Sequence, residues 1–439
     1  MKNDVKRGYL RKKKIMGELS LTLFLSLKKA LESKGARPFL ISGFLTSLGD
    51  WIYFVAMSAF LFNQFGPIAI GLLSVIRQTS GMLFAPVAGF LADKYSKKKL
   101  VLLSNLSSAF LMAVLLILTS AENQSLLTYL IIGTLLVLAA TLDRICKLSL
   151  VPNLVDKEDR LALNSLLNTI GTFSLMVAPI IGGFLVGTGV LAWNFLFNTI
   201  AYILSFCLLS FLPKNIGSNT LIKQNESLTI KSTYKEWIVG VRAIFKKRDM
   251  RSLTILMFLN HVIVGSTFVF IPMLSQLIGL GDQGIGYLLT AIGVGSIIGA
   301  LIGAMIGSKS LNVAISIGVI GLPLTLALSG FHEYMIISFL FVSLLGIFAN
   351  IGDGPMWTYL QRITPSEQSG RVFSTVDVIT VGGMSLGSLI TGFLISYLSL
   401  KLSLIIFASV IILVSAYSLL ELITKNKGKI IDNKENAQV

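Results

Sequence analysis

Residues 67–99 read PIAIGLLSVIRQTSGMLFAPVAGFLADKYSKKK. Up to residue 92 the stretch holds a single charge, Arg77. That is long enough to cross a bilayer core as a helix, which takes about 20 apolar residues. The charges then arrive together, as Asp93, Lys94, Lys97, Lys98 and Lys99. Outward from here the same unit, an apolar run closed by a short polar connector, repeats along the whole chain. Spans are expected at residues 38–63, 67–92, 100–119, 125–149, 161–187, 190–212, 252–278, 284–307, 312–331, 334–360, 371–398 and 402–424. Composition agrees: of 439 residues 54% are apolar and 13% charged, with a mean hydropathy of +0.80. Soluble domains carry about 25% charged residues. The chain is therefore expected to be an all-α membrane protein with twelve transmembrane helices. A soluble enzyme, a secreted disulfide scaffold and a disordered chain are excluded. Cys146 and Cys207 fall in apolar runs and read as small hydrophobes.

The net charge of +16 is a matter of topology. Apart from Arg77, Arg144 and Lys401, the Lys and Arg residues lie in the two tails and in every second connector, or at the span ends facing them. By the positive-inside rule both termini are expected in the cytoplasm of a multi-pass cell-membrane protein. No basic patch is interleaved with stacking or groove-reading residues, so no nucleic-acid partner is expected. Five parts follow: a basic tail (1–37), a six-span half (38–213), a cytoplasmic linker (214–251), a second six-span half (252–424) and a C-terminal tail (425–439). In the first tail Leu23, Leu27 and Leu31 recur at helical spacing among lysines, the pattern of an interfacial helix on anionic lipid. The alternative is a solvated tail that only enforces topology. In the linker, Trp237, Val241, Ile244 and Phe245 share one helical face.

Two six-span halves around such a linker resemble the major facilitator superfamily. The sharpest match is Gly89-Phe-Leu-Ala-Asp93-Lys94-Tyr-Ser-Lys97-Lys98-Lys99, similar to that superfamily's loop motif after the second span, with Ser96 in place of the usual glycine. There Gly89 is expected to let helices approach closely, and Asp93 to cap a neighbouring helix N-terminus when the cytoplasmic side is closed. In the fifth span Ala178-Pro179-Ile-Ile-Gly182-Gly183 resembles the antiporter motif, with alanine for its first glycine. Gly49-Asp50, Val151-Pro152, Asn164-Ser165, Trp237-x-x-Gly240-x-Arg242, Gln361-Arg362-x-x-Pro365 and Gly370-Arg371-Val372-Phe373 are similar to a branch of bacterial exporters that includes macrolide efflux and enterobactin export proteins. The resemblance implies alternating access, export and proton antiport. It has departures. Leu136 stands where many exporters carry an arginine, and the second half's loop motif is reduced to Gly303-Ala-Met-Ile-Gly307-Ser308-Lys309 without an acid. That stretch has the wrong order for a phosphate loop and follows Gly295 and Gly299, a close-packing helix face.

A charge at the centre of a span costs about 2.5–3.5 kcal/mol or more and needs a partner or a task. Asp50 and Arg77 are expected to face each other, because their depths differ by only about 5 Å at helical rise. Asp50 then exchanges a proton or meets a cationic substrate under the influence of Arg77; the alternative is a permanent ion pair that fixes packing. Asp143 and Asp353 occupy equivalent places in the two halves. With Arg144 they are expected either to form a cytoplasmic gate or to be solvated in a vestibule. Asp377 is expected to complement that gate or line the cavity, and His261 to titrate or to pack through a hydrogen bond. Trp51, Tyr53, Phe54, Phe268, Phe270 and Trp357 are candidates for an aromatic cavity wall.

No nucleophile–base pair, metal-ligand spacing or nucleotide fingerprint stands out, so no enzyme activity, cofactor or metal is expected. The expectation is a monomeric secondary transporter that exports a small amphiphilic organic compound, drug-like or siderophore-like, in exchange for protons. A lysophospholipid or other lipid flippase, or a facilitator, of the same fold is the alternative. A metal exporter is a smaller one, because Gly49-Asp50-Trp51 also resembles the first span of ferroportin.

Overall fold

A computed structural model describes residues 35–119, 125–157, 159–213, 238, 240–330, 334–365 and 368–435, with side chains described as far as Leu422. The N-terminal tail and Trp237 lie outside the described residues. Among the described residues twelve helices are long and apolar enough to cross a membrane. They are α1 Ala36–Phe65, α2 Pro67–Lys94, α3 Lys97–Leu118, α4 Leu126–Leu154, α5 Arg160–Gly187 and α6 Ala192–Ser210 in the first half. The second half holds α7 Arg248–Leu277, α8 Gln283–Gly307, α9 Leu311–Ser329, α10 Met335–Ile363, α11 Ser369–Tyr397 and α12 Leu400–Glu435. No strand occurs among the described residues. Helices are what a bilayer permits, since they satisfy their own backbone hydrogen bonds.

Several ends differ from the hydropathy reading. Helix α4 continues through Pro152 to Leu154, α7 begins at Arg248, and α12 runs past residue 424 to Glu435. A proline costs a membrane helix less than a soluble one because neighbouring helices resatisfy the freed carbonyl. Between α1 and α2 the chain turns on one residue, Gly66 at φ 78°, followed by Pro67 in the first helical turn. Only glycine adopts that φ without strain, and proline's fixed φ suits the helix start.

One end of the bundle holds the basic connectors, and we call it the basic end. Here one polar device in each half ties its helices together. Lys98 donates from its Nζ to the carbonyl oxygens of Ser210 (2.8 Å) and Leu212, a cation on the C-terminus of α6. Glu421 on α12 accepts from Arg248 at 2.5 Å, from Arg251 at 2.8 Å and from Ser252, all on α7. In the second half α8 lies against α10 through the glycine face expected from sequence. A Cβ on Gly303 would stand 2.7 Å from the Ile351 carbonyl, and Gly295 and Gly299 sit as tightly against Ser343 and Ile347.

Among the described residues the two halves share a core at the opposite end. There a single apolar cluster draws from both, including Phe54, Phe60 and Tyr129 from one and Phe270, Leu288 and Leu345 from the other. At the basic end the cores are separate: one is confined to residues 36–212, the other to residues 244–422. The junction is made by α2 with α11 and by α5 with α8. Asn63 donates to Asp282 at 2.7 Å, Thr290 to the Met176 carbonyl at 3.0 Å, and Thr79 and Ser385 hydroxyls meet at 3.5 Å.

Candidate functional site

The expected antiporter motif turns out to be the mechanical seal of the opposite end. Gly182 fits against Ile52 and Val55 of α1, with a Cβ there only 3.1 Å from Val55. Gly183 faces α8, where its Cβ would stand 2.5 Å from the Gln283 carbonyl, and a Cβ on Gly286 would strike the carbonyl of Pro179. Residues small enough for backbone contact let α5 close on α8.

Toward the basic end the inter-helix space opens. Gly89, Gly171, Gly354, Gly370 and Gly382 have nothing within 4 Å of where a Cβ would stand. The expectation that Gly89 allows close helix approach is therefore not met in this conformation, because the two halves are apart there. Of the motif's cations, Lys94 lies over the rings of Phe90 (5.6 Å) and Tyr95 (5.5 Å), Lys97 starts α3, and Lys98 caps α6. Asp93 lies in the last turn of α2, and Arg371 in the first turn of α11 beside Gly240 of the linker.

Between the opposite-end seal and the basic end lies a cavity of about 490 Å³, lined by α1 to α6. Asp50, Arg77, Asp143, Arg144 and Lys147 all line it, so the four charged groups singled out from sequence share one space with Lys147. Its volume is in the range of small-molecule sites.

The wall is organised by α6. Asn194, Asn198, Tyr202 and Ser205 recur at helical spacing and are buried. Tyr202 donates its hydroxyl to Asp50 Oδ1 at 2.6 Å, and Ser205 meets Ser42 at 2.6 Å. Asn198 lies so close to Gly49 that a Cβ there would stand 2.7 Å from its Oδ1. Gly49 thus lets α6 come near enough for Tyr202 to hold Asp50. Neither Tyr202 nor this stripe was singled out from sequence; its four- and three-residue spacing in an apolar run was the available signal.

Asp50 and Arg77 face the same cavity, but among the described residues no ion pair joins them. The packing ion pair is therefore absent in this conformation. Instead the Arg77 guanidinium lies 4.6 Å from the ring centre of Phe54 and 5.1 Å from that of Trp51, a cation–π arrangement. Asp143 is held on its own helix by Lys147 at 2.7 Å and across to α3 by Asn105 at 2.8 Å. Lys147 also donates to Thr46 of α1 at 3.1 Å, which makes it the junction of α1 and α4. Arg144, one residue on from Asp143, is exposed to the cavity.

The second half keeps its charges elsewhere. Asp353 lines a different space, about 510 Å³ between α8 and α10, with Asn350 and Arg362. One of its carboxylate oxygens is buried without a hydrogen-bond partner. Asp353 is thus apart from Asp143 and Arg144, and the three gate candidates are not brought together in this conformation. The His261 Nδ1–H donates to the Met257 carbonyl at 2.9 Å, and Asp377 is exposed on α11. Of the aromatic candidates, Tyr53 and Phe54 line the cavity, and Phe268 backs Phe54 edge-on at 5.1 Å. Phe270 is fully buried in the inter-half core, and Trp357 packs against Phe373 in the second half, so neither forms the wall. A helix that is apolar all round gives no face from sequence, which is why these two were misplaced. Among the described residues no three His, Cys, Asp or Glu side chains gather as metal ligands.

Twelve membrane helices in two halves, with a small-molecule-sized cavity carrying charged groups in the first, define a membrane transporter rather than an enzyme. The chain belongs to the Major Facilitator Superfamily, whose family model matches residues 39–379. It is similar to YfiS, an MFS-type transporter of Bacillus subtilis, at 23% identity over 88% of this chain and 93% of that protein. It is also similar to the enterobactin exporter EntS of Shigella boydii, at 24% identity over 72% of this chain and 74% of that one. Among solved structures, the nucleoside transporter NupG aligns with a TM-score of 0.72 at 13% identity, over 88% of this chain and 99% of its own. A bacterial homologue of the iron transporter ferroportin, in its inward-facing state, aligns at 0.66 and 16%, over 89% and 98%. These structural likenesses establish the shared fold.

Proposed function

We propose that this chain exports a small amphiphilic organic compound from the cytoplasm by alternating access, as a monomer whose cargo site lies within its first half. The observation that carries the reading is the cavity itself, sealed by α5–α8 and α2–α11 at one end and open toward the basic end. The positive-inside rule assigns the basic end, with both termini, to the cytoplasm. On that assignment the conformation is inward-facing and ready to load. Closing the basic end brings the faces of Gly89 and Gly171 into contact and breaks the seal opposite. Export is supported by the likeness to an enterobactin exporter. Proton coupling is proposed at Asp50, a carboxylate deep in the cavity wall, with antiport the arrangement implied by the family resemblance. The test uses proteoliposomes with an interior pH dye, an acid-outside gradient, and a panel of macrolides, cationic dyes and a catecholate siderophore. Cargo-triggered proton flux in the wild type, lost in Asp50→Asn, is the expected result. Cargo movement without proton flux in either protein overturns the coupling and leaves a facilitator.

A further inference from the structure

We infer that the cargo is an organic oxyanion with an aromatic or apolar body, held by Arg77 and Arg144. This deepens the proposed function and rests on its cavity and direction of transport, not on its proton step.

The charges in the cavity wall are three cations, Arg77, Arg144 and Lys147, and two acids, Asp50 and Asp143. Both acids are already engaged: Asp143 with Lys147 and Asn105, and Asp50 with Tyr202. Among the described residues neither arginine meets a carboxylate within ion-pair distance or donates to a protein acceptor. With Asp143 neutralised by Lys147 and Asp50 bonded only to a neutral hydroxyl, the wall keeps two guanidinium groups against one carboxylate, an excess of one positive charge in a membrane cavity. The Arg77 guanidinium lies against Phe54 and Trp51 through cation–π contacts, which leave its N–H donors without a protein acceptor among the described residues and able to bind an oxyanion bidentately. By helical rise Arg144 stands about 10 Å nearer the basic end. The pair therefore forms an approach and a terminus rather than one clamp. Phe54 and Tyr53 beside the terminus supply an apolar surface for the body of the cargo.

The same oxyanion chemistry is offered by free aromatic carboxylates and by anionic lysophospholipid headgroups. Calorimetry on the full chain in nanodiscs would compare naphthoate with naphthylmethylammonium, a matched body of opposite charge. Lysophosphatidylglycerol would be added as the lipid arm. Naphthoate or the lysolipid should bind in preference to the ammonium, and Arg144→Gln should weaken that binding at least about tenfold. Because Arg144 is exposed, this variant keeps its fold, and Arg77→Lys serves as the second, less disruptive change at the terminus. Binding of the lysolipid alone names a lipid cargo, and naphthoate alone a soluble one. Preference for the ammonium, or anion affinity unchanged in both variants, overturns the inference. Anion binding without transport in proteoliposomes would instead sink the export reading and leave this site standing.

Discussion

At the scale of single residues, the junction at Lys147 carries the clearest energetic consequence. Lys147 is 6% exposed, and its ammonium is bonded to Asp143 and to Thr46 and so closes α1 onto α4. Breaking a buried pair from one side leaves an uncompensated charge and costs about 3–5 kcal/mol, while removing both charges is far milder. Lys147→Met should therefore lower the thermal midpoint of the protein in detergent strongly, and adding Asp143→Asn should recover most of the loss. Equal melting of the single and double variants would show that the pair is solvated. Asp50, Arg77, Asp143 and Arg144 were legible in the sequence because a charge within a span stands out against its surroundings. Tyr202 and Asn198 were not, since an uncharged polar side chain barely changes the hydropathy of a run. Yet these are the groups that fix where Asp50 sits. The expectation that Asp50 and Arg77 lie at similar depth placed them in one cavity, but depth alone says nothing about rotation around each helix. That is why an ion pair was one reading and a guanidinium over two rings is what the structure holds.

At the scale of helices, the spans were readable because a bilayer core demands length and apolarity of every crossing segment. Their ends were less so, as α4 shows by continuing through Pro152. Helix-to-helix contacts were legible where small residues repeat every four positions, on α8 and in the Pro179-Ile-Ile-Gly182-Gly183 run of α5. There the backbone contact between Gly183 and Gly286 has no room for a side chain. Gly286→Val should therefore wedge α5 from α8 and shift the population away from the sealed opposite end. The reporter is a cysteine at Gly171, which faces open space at the basic end, in a background with Cys207→Ala; Cys146 is buried. Labelling of Gly171→Cys by a membrane-impermeant thiol reagent applied from the basic side should fall severalfold when Gly286→Val is added. Unchanged labelling would mean that the α5–α8 contact does not set which side is open.

At the scale of the whole molecule, the two halves share one core at the opposite end and keep two at the basic end. This asymmetry is what a rocking motion reverses, because each half can turn as a body only if its own core stays intact. The internal ties identified above respect that division: Lys98 joins α3 to α6 within the first half, and Glu421 joins α7 to α12 within the second. Besides the shared apolar contacts, the links that must break during transport include polar ones, of which Asn63 with Asp282 at 2.7 Å is exposed while Thr290 with Met176 and Thr79 with Ser385 are partly buried. Replacing Asn63 and Asp282 by cysteine and joining them with a short bifunctional thiol reagent should hold the opposite end closed. Cargo binding from the basic side should survive, because the cavity and its arginines are untouched, while net transport in proteoliposomes should stop. Cleaving the link with reductant should restore transport. If transport continued with the link intact, the opposite end would not need to open, and the cargo would leave by another route, such as sideways into the bilayer through the gap between the halves.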